Sequence, residues 1–348
     1  MLNPSVDPIF PPPDVEIRIS VEDIKPIKDT ITSRIDSVTY IPPSHLLAVP
    51  PAPKAVKIEL TGRCNYRCSF CNLTNREHQP KRSSDMCLDF FKDITSQMKD
   101  HGVEEIGLFY VGESFMVPDL LADATRWLKK ELGMPYAFLT TNGSLAGEQA
   151  IHAVMNAGLD SLKFSITSAD FDEFEEVVQV KRKLYETALK NLRQAYEIRE
   201  RCKYKTKLYA SSIQYDGDQQ VKMDKLLDEY VRPYVDQHYF LPLYTFGAGA
   251  IDREEELDWK PTPGNTGRVG GQVAPLPCWC CFTEGHVRHD GGVSFCGFGS
   301  DDTFDVGNLH DASWIDLWEN DYFTKIRAAH LKKDVVGTAC ETCAMYEG

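Results

Sequence analysis

Residues 54–72 read KAVKIELTGRCNYRCSFCN. The first seven alternate polar and apolar side chains, the pattern of a strand with one face buried. Directly after it stand Cys64, Cys68 and Cys71, spaced C-x3-C-x2-C. One compact loop can set three such thiolates around a corner of a cubane iron–sulfur cluster. One iron is then left without a protein ligand, and an open metal position is what catalysis requires. The competing reading is a zinc loop with His78 as fourth ligand. The strand-then-loop context favours the cluster.

Outward from this stretch the chain repeats a pattern. Helical periodicity over Ser84–Gly102, Pro118–Leu132, Ala146–Gly158, Leu184–Cys202 and Val221–Val231 alternates with apolar strands. Those strands are Glu105–Val111, Tyr136–Thr141, Ser161–Ile166, Thr206–Ile213 and Asp236–Leu243. With the strand at 54–60 they make six, joined by helices, which predicts an α/β parallel sheet closing into a partial barrel. The chain divides into a Pro-rich N-terminal extension (1–53), this core (54–246), a Gly- and Pro-rich linker (247–277) and a Cys-rich end (278–348). Residues 17–35 are expected to hold a short strand or helix.

Composition narrows the function classes. Among 348 residues, 42% are hydrophobic and 26% charged, which excludes wholesale disorder. A formal charge of −14 opposes broad binding to nucleic acid or anionic membrane. Neither a membrane span nor a secretory signal is evident, so a cytoplasmic location is expected. Eleven cysteines at clustered short spacings then point to metal rather than disulfides.

The motif set resembles the radical S-adenosylmethionine superfamily. Its signature is C-x3-C-x2-C after the first strand of a partial (βα)6 barrel, with an aromatic before the third cysteine, here Phe70. The resemblance implies that Cys64, Cys68 and Cys71 hold a 4Fe-4S cluster whose open iron binds S-adenosyl-L-methionine. Reductive cleavage would yield a 5′-deoxyadenosyl radical that takes hydrogen from substrate. Tyr110-Val-Gly112-Glu113 matches the family's Gly-Gly-Glu-like motif, with Val111 in place of the first Gly. Glu113 would receive the methionine ammonium through charge-assisted bonds. Asn142 in the Thr-Asn-Gly turn, Ser165 after the fourth strand and Arg182 before the long helix complete the expected cofactor contacts. Each of these three has a plainer reading, as a turn, a helix cap or a surface charge.

The second constellation is Cys278-Trp-Cys280-Cys281, an Asp290-Gly291 hairpin signal, Cys296, and Cys340-x2-Cys343. A zinc ribbon and an iron–sulfur site both fit the thiols alone. The layout resembles the C-terminal SPASM/twitch modules of the same superfamily, which implies an auxiliary 4Fe-4S cluster. Its expected ligands are Cys278, Cys296, Cys340 and Cys343, with Cys280 or Cys281 as alternatives to Cys278. Cys87 and Cys202 read as core thiols.

A cluster closed by four thiolates can pass electrons but cannot bind substrate. The resemblance to twitch-type aminocyclitol dehydrogenases therefore implies an oxidoreductase. The expected reaction is oxidation of a secondary alcohol on an amino sugar, cyclitol or nucleoside intermediate. A flavodoxin or ferredoxin would supply reducing electrons, with no nucleic acid or membrane partner. Redox-neutral radical chemistry, peptide modification and a non-catalytic metal-binding module are the alternatives. Tyr209, His238, Tyr239 and Tyr244 are candidate proton acceptors and Gln214 a candidate binder.

Overall fold

The structure is a computed structural model that describes residues 30–71, 84–215, 217–241, 276–297 and 302–341. His78, Tyr244, the linker up to residue 275 and Cys343 lie outside the described residues. Six strands, β1 (Ala55–Ile58), β2 (Glu105–Gly107), β3 (Tyr136–Thr141), β4 (Ser161–Ser165), β5 (Lys207–Ile213) and β6 (Gln237–Leu241), lie side by side in chain order. All five pairings are parallel, as helical crossovers require. The crossovers are α2 (Leu88–Asp100), α3 (Pro118–Arg126, continued as a π-turn to Leu132), α4 (Glu148–Ala157) and α6 (Lys183–Cys202). The last of them is α7 (Gly217–Tyr230).

The C-terminal hairpin joins the same sheet. β7 (Glu284–Val287) runs parallel to β1 on its free side, and β8 (Gly292–Ser294) and β9 (Asp305–Asn308) follow antiparallel. Among the described residues the sheet thus has nine strands in the order β6-β5-β4-β3-β2-β1-β7-β8-β9. Two short helices, α8 (Trp314–Trp318) and α9 (Asp321–Lys332), close the module, and Asn320 caps α9 by accepting the Phe323 N–H.

Alternation along the strands sorts two faces. Val56, Ile58, Ile106, Leu139, Leu162, Phe164 and Leu208 are fully or almost fully buried in the main core. Lys57, Lys163, Tyr239 and Glu284 face the other way. Lys163 on β4 lies beside Tyr239 of β6 and feels the charges of Lys57 on β1 and Glu284 on β7. Strands that are not neighbours can meet in this way only across the interior of a curved sheet, so these side chains line a lumen.

One short helix was not expected. α5 (Phe171–Val178) is started by Asp170, whose carboxylate accepts the Glu173 N–H, and it ends at Gln179 in the left-handed conformation. α1 (Ile31–Thr39) crosses the end of the sheet where strands begin. Gln237 at the start of β6 accepts the Ile31 N–H at 3.1 Å. Arg34 pairs with Glu105 at 2.8 Å and covers the Tyr136 ring. Thr283 donates to the Val38 carbonyl, and Ile31 packs on Tyr209 and Tyr239. The lumen is therefore stoppered at that end.

Candidate functional site

The cysteine loop leaves β1 at the carboxyl edge of the sheet, where parallel α/β folds place their ligands. Arg63 clamps its base with two bonds to Asp85 of 2.7 and 2.8 Å. Its backbone docks on the end of α5: Arg67 N–H on Val178 and Ser69 N–H on Val177. Cys64, Cys68 and Cys71 lie close enough to feel one another's charge. Burial, then the Glu113 carboxylate, pushes the Cys64 thiol up to about 12. Three thiols so placed resist ionising unless a cation compensates them, so the donor set fits a metal cluster. Phe70 packs partly buried against the core beside them.

The predicted motif residues converge on this loop. Gly112 follows β2, and a Cβ there would overlap the Thr61 carbonyl, so only glycine permits the close approach. Its N–H reaches the buried Glu59 carboxylate at 3.0 Å. Glu113 is also buried and accepts from Phe115 N–H (3.0 Å), Thr141 Oγ1 (2.8 Å) and Asn142 N–H (2.8 Å). A carboxylate offers about four lone-pair sites, so capacity remains for a cationic ligand beside these three bonds. Asn142 Nδ2 donates to Asn65 at 2.9 Å and lies 3.9 Å from the Cys64 sulfur. Ser144 closes this triangle with Asn65 and Asn142.

Two predicted residues stand apart from that knot. Ser165 ends β4, half-buried. Arg182 is an exposed side chain that stacks on Phe171 and pairs with Glu186. His238 faces outward: it meets Ser212 at 3.0 Å, and burial lowers its pKa to about 4. Gln214 is exposed, with its backbone N–H on Leu241.

The second thiol set lies behind β7. Cys278, Cys280 and Cys281 form a tight turn before that strand, Cys296 follows β8, and Cys340 follows α9. Burial, then the charges of Cys340, Cys280 and Cys296, holds the Cys281 thiol well above the usual range. Cys278 feels Cys281 and Cys296. Among the described residues no three His, Cys, Asp or Glu side chains converge at single-ion spacing. Arg327 is entirely buried, with Nε on the Cys281 carbonyl at 2.7 Å and Nη1 on Trp318. Its Nη2 is buried with no hydrogen-bond partner among the described residues. An orphaned guanidinium N–H beside crowded thiols fits an anionic thiolate-bound cluster.

Lys163 was not foreseen as a site residue. It occupies a lumen-facing place in the strand SLKFS, and its amine meets the Tyr239 hydroxyl at 3.1 Å. Burial, then Lys57, lowers its pKa to about 7. Lys57 itself is neutralised by Glu284 at 2.9 Å, and Glu284 also holds His286 at 2.8 Å. A lysine flanked by Leu162 and Phe164 in a strand whose alternate face meets the barrel interior was the available signal.

Comparison with known proteins places both regions. The Radical SAM superfamily model matches residues 58–206, and the SPASM iron–sulfur cluster-binding domain model matches residues 278–344. The chain is 28% identical over 164 residues to the S-adenosylmethionine-dependent nucleotide dehydratase RSAD2 of Oncorhynchus mykiss, covering 46% of this chain and 44% of that protein. The match thus spans less than half of the first curated relatives' length. Streptococcus suis SuiB bound to S-adenosylmethionine shares the fold, with TM-score 0.59 and 16% identity over 85% of this chain and 72% of that one. BtrN in complex with AdoMet and 2-DOIA does so with TM-score 0.50 and 16% identity, over 80% and 87%. The chain belongs to the radical SAM superfamily, and its two matched domains bring a 4Fe-4S cluster, S-adenosylmethionine and an auxiliary iron–sulfur centre.

Proposed function

We propose that the protein oxidises a secondary alcohol of a small polar metabolite, an amino sugar, cyclitol or nucleoside intermediate. When bound, the first cluster and S-adenosylmethionine supply hydrogen abstraction, and the auxiliary cluster supplies an electron acceptor. Cys64, Cys68 and Cys71 would hold the former, with Phe70, Gly112, Glu113, Asn142 and Ser165 around its cofactor. Cys296, Cys340, Cys343 and one of Cys278, Cys280 or Cys281 would hold the latter. A flavodoxin or ferredoxin would be the reductant.

The observation that carries the oxidative reading is Lys163. Removing hydrogen from a carbinol carbon and one electron from the resulting radical leaves a hydroxyl proton to be taken up. A lumen amine with no carboxylate at ion-pair distance among the described residues, and lowered to about 7, is poised to take it. Tyr239 would orient that amine from across the lumen. Arg182, exposed and engaged with Glu186, is left out of the cofactor set.

The test is a panel of amino sugars, cyclitols and nucleosides, each deuterated at its carbinol carbon, with S-adenosylmethionine and reductant under anaerobic conditions. Deuterium appearing in 5′-deoxyadenosine, with a product lighter by two hydrogens, supports oxidation. A product lighter by one water would favour dehydration instead, the reading suggested by likeness to a relative named as a nucleotide dehydratase.

A further inference from the structure

His330 lies on α9, fully buried, with its ring between the two ends of the second thiol set. Nδ1 accepts the Cys278 backbone N–H at 3.1 Å. A ring nitrogen that accepts a hydrogen bond carries no proton, so in the neutral ring the proton sits on Nε2. Nε2 stands 3.3 Å from the Cys340 sulfur and 3.8 Å from the Cys281 sulfur. The backbone bond thus fixes the tautomer and aims the remaining N–H at two thiols from opposite ends of the module. Neither thiol is near the other in sequence; the histidine is what stands between them.

We propose that His330 is a positioning residue that sets the reduction potential of the auxiliary iron–sulfur centre, by sharing one N–H between Cys281 and Cys340. This rests on the assignment of that centre to these thiols. Reduction adds negative charge to a cluster and its thiolates. A hydrogen-bond donor on the sulfurs stabilises the more negative state and raises the potential. The donor is shielded from water, so solvent cannot compete with sulfur for it. Arg327, on the Cys281 carbonyl, adds a positive field on the same side. The consequence is an auxiliary centre made easier to reduce, suited to receive an electron rather than to give one.

The experiment is an anaerobic redox titration of the reconstituted full chain, followed by electron paramagnetic resonance. Wild type, His330→Phe and His330→Gln are compared, with iron measured in each. At a fixed ambient potential, His330→Phe should lower the reduced-to-oxidised ratio of the auxiliary centre about tenfold, a shift of about 59 mV for one electron. The first cluster should be unmoved. His330→Gln, which keeps an N–H near the same place, should recover most of the ratio. A ratio unchanged in a fully loaded His330→Phe protein overturns the proposal.

Wild-type protein labelled with 15N-histidine keeps the question open to measurement if the Phe variant fails to fold. A weak nitrogen coupling on the auxiliary signal, lost in His330→Gln, supports the hydrogen bond. No coupling, or the strong coupling of a direct iron–nitrogen bond, overturns it. Iron for one cubane and a single reduced species would overturn the cluster assignment beneath the proposal as well, and iron analysis separates that failure from the others.

Discussion

The Tyr110 hydroxyl donates a hydrogen bond to the Cys296 carbonyl at 2.8 Å. Tyr110 lies three residues before Glu113, and Cys296 is a candidate ligand of the auxiliary centre. Beside it, Glu59 ties the same regions a second time, accepting from Gly112 N–H through one oxygen and meeting His289 Nδ1 at 2.8 Å through the other. The two cofactor regions are therefore built on one sheet and share polar contacts at its centre.

Breaking these ties should cost stability in a graded way. Tyr110→Phe removes one neutral hydrogen bond and should destabilise by about 1 kcal/mol. Glu59→Ala strands a backbone N–H and a histidine in a buried place, at about 1–3 kcal/mol for each group left unpaired. Urea unfolding under anaerobic conditions measures both. Equal midpoints for the two variants would contradict the shared-sheet account.

Alanine at Cys64, Cys68 or Cys71 should abolish reductive cleavage of S-adenosylmethionine and remove about four iron per chain. The readout is 5′-deoxyadenosine formation with iron analysis of the same sample. Normal cleavage in all three variants would remove the first cluster from this loop.

Cys281→Ala, Cys296→Ala and Cys340→Ala should each lower iron by about one cubane and spare 5′-deoxyadenosine formation. Cys281 feels both Cys296 and Cys340, so its loss should be the more damaging of the turn's thiols. Comparison with Cys278→Ala decides between the two. Full iron in Cys281→Ala with loss in Cys278→Ala would give the ligand role to Cys278.

The strands and most helices were legible because alternation and helical periodicity survive wherever one face is buried. Tyr136–Thr141 shows this: burial alternates along it, with Ala137, Leu139 and Thr141 buried and the residues between them half-exposed. α5 escaped because eight residues make too short a periodic run, and its start depends on the Asp170 cap. The docking of β7 on β1 was not readable from the hairpin signal, since Asp290-Gly291 specifies only the antiparallel partner. The cysteine loop was plain from spacing. Lys163 and His330 were hidden for a common reason: each is a lone polar residue whose meaning lies in partners from distant strands or turns.

Gly112→Ala should uncouple the motif from the cysteine loop. The added methyl would overlap the Thr61 carbonyl and force the loop carrying Glu113 outward. Affinity for S-adenosylmethionine should fall by about tenfold, the equivalent of one charge-assisted bond, while iron content stays near wild type. Calorimetric titration with S-adenosylmethionine measures it. Unchanged affinity would mean that Glu113 serves only its three internal hydrogen bonds.

Lys163 makes the sharpest claim on pH. Its amine accepts a proton only when neutral, and burial with Lys57 lowers its pKa to about 7. Glu284 acts the other way, Tyr239 donates or accepts at its side, and burial holds the pKa of His286 below its ordinary value. Below pH 7 the amine is protonated, so product formation should fall about tenfold per unit. Above pH 7 this group should impose no further change. Lys163→Met should lose that acid limb and run about 100-fold slower at pH 8, while 5′-deoxyadenosine still forms without product. Lys163→Arg stays charged at every accessible pH and should not recover the rate. Recovery by arginine would recast Lys163 as an anchor for an anionic substrate group, because a fixed cation can hold an anion but cannot take a proton.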